Sequence, residues 1–374
     1  MVWQTIKNWL MNYTKSLLSR DDSTWLKGLL TLLIVLGHDM VFTIPLKEYG
    51  AMSFLYLFHI QSFFLLPFLY GIDAKAYTWK QGRDMFVRYY WPYFSLATLM
   101  ILCYGAASHF SSFTLERMAR LLIFCDSTSI KRLCGIQILW FLPCMMSMTL
   151  LKELYYRGSK GVRLLLLLAS FAFILWDICA NSSSHAFSIR SQVLQYVPLG
   201  AGYAIQLLAQ GVVLRVLVDY VEKEKRHSSA LIMSIIGFIV CSALYMEYVA
   251  CFIGVNSLNV VYALLKNVTP ILFMLMVVSC QNLRKAERYG SGIYKIGTRS
   301  LFVYLISPFV GYVTYFICSA LGLMYWWVGL LLWPIIVCLA YWMSLLVKGK
   351  FEAAMFPRNY ETLRRFVIRN RCAL

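Results

Sequence analysis

Charge is what this sequence has least of. Asp, Glu, Lys and Arg make up 14% of its 374 residues, and 60% are hydrophobic. Ordinary soluble domains carry about 25% charged residues. The shortage excludes a soluble globular enzyme and a disordered chain. Acidic residues are the scarcer sign, 17 against 35 basic, so the formal net charge is +18. Paired CxxC motifs are missing. The 11 cysteines are spread singly, mostly inside apolar runs. That excludes a disulfide-stapled secreted module and gives no metal-ligand pattern. Only Cys125 and Cys134 share a loop and could bridge. Internal repeats and low-complexity linkers are missing too, so one membrane domain is the simplest organisation. A cleavable leader is not expected, because residues 1–24 are polar and basic and no small-residue cleavage site follows.

What the chain has is long apolar runs. A membrane helix needs roughly 20 mostly apolar residues. Ten runs qualify, at about 25–44, 51–71, 90–108, 134–151, 163–179, 192–213, 229–248, 258–280, 300–320 and 325–347. The last two form one stretch without a charged residue, expected to bend at Leu321-Gly322. The fold class expected is therefore an all-α polytopic membrane protein of about ten transmembrane helices. Residues 1–24 precede the membrane domain 25–347, and 348–374 form a basic tail.

The basic residues set the orientation. With the N-terminus cytoplasmic, 27 of the 35 fall in inner segments and 6 in outer ones, while Lys27 and Lys266 lie inside spans. This bias predicts that both termini are cytoplasmic. It also argues against nucleic acid as a partner, because the charges are scattered between spans and form no single patch. In the long outer loop, Thr114–Cys125 alternates charged and apolar residues at helical spacing, as an interfacial helix does.

Ionisable groups inside spans are costly and mark functional candidates. In the first span, Lys27 and His38 are eleven residues apart, which is about three turns. Both then lie on one face, about 16 Å apart along the axis. His59, in Phe58-His59-Ile60-Gln61-Ser62-Phe63-Phe64, lies at a similar depth in the second span. Plainer roles exist: a snorkelling anchor for Lys27, and structural hydrogen bonds for either histidine. Arg83 and Arg88 follow the second span. Such arginines can grip phosphates bidentately, although the positive-inside bias alone explains most of them. Trp140-Phe141-Leu142 reads as an aromatic belt or helix packing. The ninth span opens with Gly297-Thr298-Arg299-Ser300 and continues to Tyr304 and Ser307-Pro308.

Together these pieces resemble the integral-membrane acyltransferase-3 family, and its bacterial sugar O-acetyltransferase branch in particular. The matching motifs are Lys27-Gly28 with His38 eleven residues after the lysine, Phe58-His59 with Phe63-Phe64, Arg88 before Pro92-Tyr93, and Trp140-Phe141-Leu142. They cover about the first 150 residues. The chain departs from the family at Thr24, where an acidic residue is usual, and at Ile60-Gln61, where Met-Pro is usual. It also has Ser307 where a late histidine often stands.

The resemblance implies an O-acyltransferase of the plasma (inner) membrane that needs no metal. An acyl group, acetyl in this branch, would pass from cytoplasmic acyl-CoA to a hydroxyl of a cell-surface or polyprenyl-linked glycan. His38 would be the general base, with His59 positioning substrate or helping the proton move. Lys27, Arg83 and Arg88 would hold the acetyl-CoA phosphates. Asp39 is a candidate to orient His38, though adjacent helical residues point about 100° apart. Trp140 and Tyr304 would be positioning residues. Two other readings share the same ten spans. One is an exporter of a glycan or small solute, using Lys27, His38, Asp39, His59, Asp177, Glu247 and Lys266. The other is a non-catalytic partner in polysaccharide assembly, which the missing late histidine favours.

Overall fold

A computed structural model describes residues 15–46, 51–72, 78–107, 113–135, 138–180, 193, 196–248, 259–283, 291–347 and 349–371. Every regular element among them is helical. Seven helices are long and apolar enough to cross a membrane: Ile138–Arg157, Lys160–Ala180, Pro198–Lys223, His227–Glu247, Val260–Asn282, Ser300–Ala320 and Trp326–Leu346. The chain is thus an all-α, multi-pass membrane protein.

The other three expected spans differ for identifiable reasons. The first is helix α1, Arg20–His38, followed by a break at Asp39 and the short helix α2, Met40–Thr43. The second is split into α3, Ala51–Tyr56, and α4, His59–Leu65, which tightens into a 3₁₀ turn at Leu66–Leu69. The third lies within α5, Trp79–Ala107, a 29-residue helix with Pro92 inside and a charged first third.

The chain divides into two compact units. The first holds residues 1–72, 170–187 and 207–345. In it α1 begins with Ser19 as N-cap, its hydroxyl accepting from the Asp22 amide, and with Asp21 and Asp22 at the positive end of the helix dipole. Helix α13, Gly292–Thr298, lies directly on α1. A Cβ on Gly28 would fall on the Ile293 carbonyl oxygen, and one on Gly297 on the Thr24 carbonyl oxygen. Two motif glycines far apart in sequence therefore form one backbone-to-backbone crossing, the use of small residues expected between membrane helices.

Behind this crossing run α14, Ser300–Ala320, and α15, Trp326–Leu346. Val35, Val303, Ile336, Val337 and Ala340 form the core that joins them to α1. The Trp333 indole donates to the Leu32 carbonyl at 3.0 Å. The turn between α14 and α15 falls where the sequence places it. Gly322 has φ +69°, and the Leu323 amide closes back on the Cys318 carbonyl at 2.8 Å, a left-handed helix stop that glycine favours.

The second unit holds residues 73–169, 188–206 and 346–374. The expected interfacial helix is α6, Leu115–Ala119, which widens at Arg120–Phe124 into a π turn. Widening leaves carbonyls without their usual partners. The Tyr93 and Tyr90 hydroxyls of α5 donate to two of them, Leu121 at 2.5 Å and Leu122 at 2.6 Å. Helix α7, Ser127–Cys134, follows, capped by Asp126. Cys125 and Cys134 are both free thiols rather than a bridge. Burial pushes each thiol up to about 12. Next comes α8, Phe141–Arg157, whose final carbonyls at Tyr155, Tyr156 and Gly158 accept from the Arg163 guanidinium.

Candidate functional site

His38 and His59 both stand at helix breaks in the first unit, and the breaks decide their chemistry. His38 is the last residue of α1. Its Nδ1 bonds the Ile34 carbonyl, four residues back, at 2.7 Å. His59 opens α4, and its Nδ1 bonds the Leu55 carbonyl. In a continuous helix Leu55 would serve the His59 amide. Here the chain turns at Leu57 and Phe58, and that carbonyl accepts from the Phe58 amide at 3.3 Å and from the imidazole. A carbonyl only accepts, so each Nδ1 carries a proton, and a ring that is neutral then keeps its lone pair at Nε2. The His59 Nε2 is buried and has no hydrogen-bond partner among the described residues. It faces Gly37, where a Cβ would sit 3.1 Å away. Glycine at 37 is what lets the ring reach α1. The His38 ring is half-buried.

Asp39 does not orient His38. Its Oδ1 accepts from the Val41 and Phe42 amides at 3.0 and 3.4 Å, which makes it the N-cap of α2. Its Oδ2 is buried without a hydrogen-bond partner among the described residues. Asp39 thus maintains the break that ends α1 beneath His38. Lys27 lies with its Nζ 5.7 Å from the Tyr70 ring centroid, and the Tyr70 hydroxyl bonds Ser23 at 2.5 Å. Tyr304, on α14, is buried. Ser307 turns inward one turn later and bonds the Tyr304 carbonyl at 3.3 Å.

Arg83, Arg88 and Trp140 belong to the second unit. Five positions on one helix are about 140° apart, so the two arginines do not form one fork. Arg83 lies 3.9 Å from the centroid of the Tyr360 ring. That tyrosine starts α17, Tyr360–Arg371, which follows the short α16, Lys350–Met355. The Tyr360 amide donates to Asp84 at 3.0 Å, and Trp91 donates to the Ala354 carbonyl at 2.8 Å. Arg83 is therefore packed beneath the tail, whereas Arg88 is exposed. Trp140 sits edge-on to Tyr203, with centroids 5.5 Å apart.

Sequence reading missed three arrangements in the first unit. Asp177 of α9, Lys160–Ala180, is fully buried and pairs with Lys266 at 2.7 Å. Lys266 is on α12, Asn259–Leu283. Arg215, on α10, Ala201–Lys223, is buried rather than placed in a loop. It donates to the carbonyls of Phe68 at 2.7 Å, Tyr70 at 3.2 Å and Lys15 at 2.8 Å. Tyr56, at the end of α3, touches both candidate histidines. Among the described residues no three His, Cys, Asp or Glu side chains converge as metal ligands. Comparisons of the chain with protein-family models, with curated proteins and with solved structures find no match.

Proposed function

We propose that this protein is a membrane O-acyltransferase that moves an acyl group, acetyl by preference, from acyl-CoA to a glycan hydroxyl. The reading includes ten crossings, with the broken segments counted among them, and cytoplasmic termini as the charge bias expects. The observation that carries it is the histidine pair. Two imidazoles, each donating Nδ1–H to a backbone carbonyl, stand at helix breaks inside one membrane unit, which leaves each Nε2 to accept a proton when the ring is neutral. A hydroxyl is a poor nucleophile at neutral pH and needs such a base.

In this mechanism His38 Nε2 takes the acceptor's hydroxyl proton as the oxygen attacks the thioester carbonyl. The carbon–sulfur bond then breaks, and the proton leaves with the CoA thiol. His59, enclosed against Gly37, holds the acceptor or steadies the proton. Lys27, Arg83 and Arg88 are the donor-phosphate candidates. Arg88 is exposed and unpaired among the described residues, whereas Arg83 is stacked on Tyr360. The acceptor is a surface or polyprenyl-linked glycan by the family resemblance.

The test is purified protein in lipid nanodiscs with labelled acetyl-CoA and a glycan acceptor. CoA release and label transfer that disappear in a folded His38→Ala variant are expected. Undiminished transfer by that variant removes His38 from the role. The Lys266–Asp177 pair favours a second reading, a solute exporter, since paired charges inside membranes often line transport paths. Flux across proteoliposomes without CoA would select it.

A further inference from the structure

We propose that Tyr56 is a positioning residue for the histidine pair, a ring packed against both His38 and His59 that fixes both imidazoles in working orientation. This rests on the acyltransferase reading for its consequence, but not for its geometry. The Tyr56 ring lies 4.9 Å from the His59 ring, centroid to centroid, at an interplanar angle of 74°. It lies 6.1 Å from the His38 ring at 56°. Both values fall within the range in which aromatic rings attract one another through tilted or edge-on contacts.

The position is a product of the break in the second segment. Tyr56 ends α3, and His59 starts α4 after the turn at Leu57 and Phe58. Phe54 and Phe58 anchor that turn on one side. Phe58 packs 4.8 Å from Phe273 of α12 and 5.2 Å from Phe238 of α11, His227–Tyr248. Phe54 packs 5.4 Å from Tyr245. With its neighbours held there, Tyr56 is turned toward α1 and His38. Each imidazole is tethered by one Nδ1 hydrogen bond to its own helix. A single bond fixes one ring atom only. Gly37 closes on the His59 ring, and the Tyr56 ring adds a contact to both imidazoles at once. Among the described residues no other aromatic ring packs against either histidine.

The role belongs to the ring, so the hydroxyl is dispensable. Tyr56→Phe is expected to keep transfer within about twofold of the parent. Tyr56→Leu is expected to lower kcat on the order of 10²-fold, the scale of a roughly 1 Å misplacement, with KM for acetyl-CoA little changed. The second readout needs no catalysis. The chain has five histidines, so the imidazole ¹⁵N signals of His38 and His59 can be assigned by single His→Gln variants. Tyr56→Leu should shift or broaden both signals, and Tyr56→Phe neither. Unchanged signals in Tyr56→Leu overturn the proposal, as does a Tyr56→Phe variant that loses as much activity as Tyr56→Leu. If the parent protein transfers nothing, the acyltransferase reading falls, and the ¹⁵N signals still decide the role of Tyr56. Should Tyr56→Leu not fold, Tyr56→Met supplies the same non-aromatic comparison.

Discussion

Helices α9 and α11 meet the membrane in one way, and the segments from α1 to α4 in another. In the span Lys160–Ala180 only 11% of the most apolar window is buried within the protein, and in His227–Glu247 only 17%. Their side chains are apolar on nearly every face, and their backbone bonds are all internal. Such helices need little from their neighbours. The segments α1 to α4 are interrupted twice, at Asp39 and at Leu57-Phe58, and each interruption releases backbone groups. Asp39 satisfies the freed amides of α2, and His38 and His59 add bonds to carbonyls beside the breaks. Arg215 does the same for the carbonyls beyond α4. An unbroken membrane helix can thus be specified by composition, whereas a broken one must be specified residue by residue. Polar chemistry gathers at the breaks for that reason.

The contrast can be broken first at its exception. Asp177 and Ser170 are seven residues apart on one buried face of α9, the polar seam of an otherwise apolar helix. The Ser170 hydroxyl accepts from the Ala209 amide at 3.0 Å. Removing one member of a buried ion pair typically costs about 3–5 kcal/mol. Lys266→Met should therefore cause the largest loss of thermal stability in nanodiscs, and Lys266→Met with Asp177→Leu should regain most of it. A double variant no more stable than the single one would show that the pair does not act as a unit.

Next comes the glycine crossing. Gly297→Ala forces a methyl group into the Thr24 carbonyl, and overpacking of this kind costs about 1–3 kcal/mol. Gly311→Ala is the control, because its nearest outside atom is the His38 carbonyl oxygen at 4.0 Å. It should change the melting temperature little. Asp39→Ala removes the cap of α2 and should cost about 1 kcal/mol, while activity falls further than stability because the break lies beneath His38. Least affected should be Ile239→Ala on α11, where the side chain is 60% exposed. A change below about 0.5 kcal/mol is expected there. A large effect at Ile239 would mean that α11 has a protein partner instead of lipid on that face.

The unbroken helices were legible from hydropathy, and the stop at Gly322 from a glycine in a run too long for one span. The breaks were partly legible. Asp39 is a common N-cap residue type, but inside an apolar run its neighbours read as one continuous span. Nothing local marks Leu57-Phe58 as a turn; Phe273 and Phe238, more than 170 positions away in sequence, hold it. Gly28 and Gly297 were visible as motif residues, yet only the fold shows that they meet. Arg215 lies just past the apolar run 192–213 and reads as a loop charge, because its partners Lys15 and Phe68 are 200 and 147 positions away. Tyr56 carries no sequence signal of its own, since one tyrosine among 25 does not stand out.

The carbonyl bonds of His38 and His59 give these residues two jobs. Deleting either imidazole removes a base and also a second donor to a backbone carbonyl at a helix break. A descendant that abandoned catalysis would still be under pressure to keep a hydrogen-bond donor at both positions. Glutamine, whose amide can donate to the same carbonyl, is the replacement such a lineage would tolerate. For the same reason a glutamine variant separates the loss of chemistry from the loss of architecture more cleanly than an alanine does.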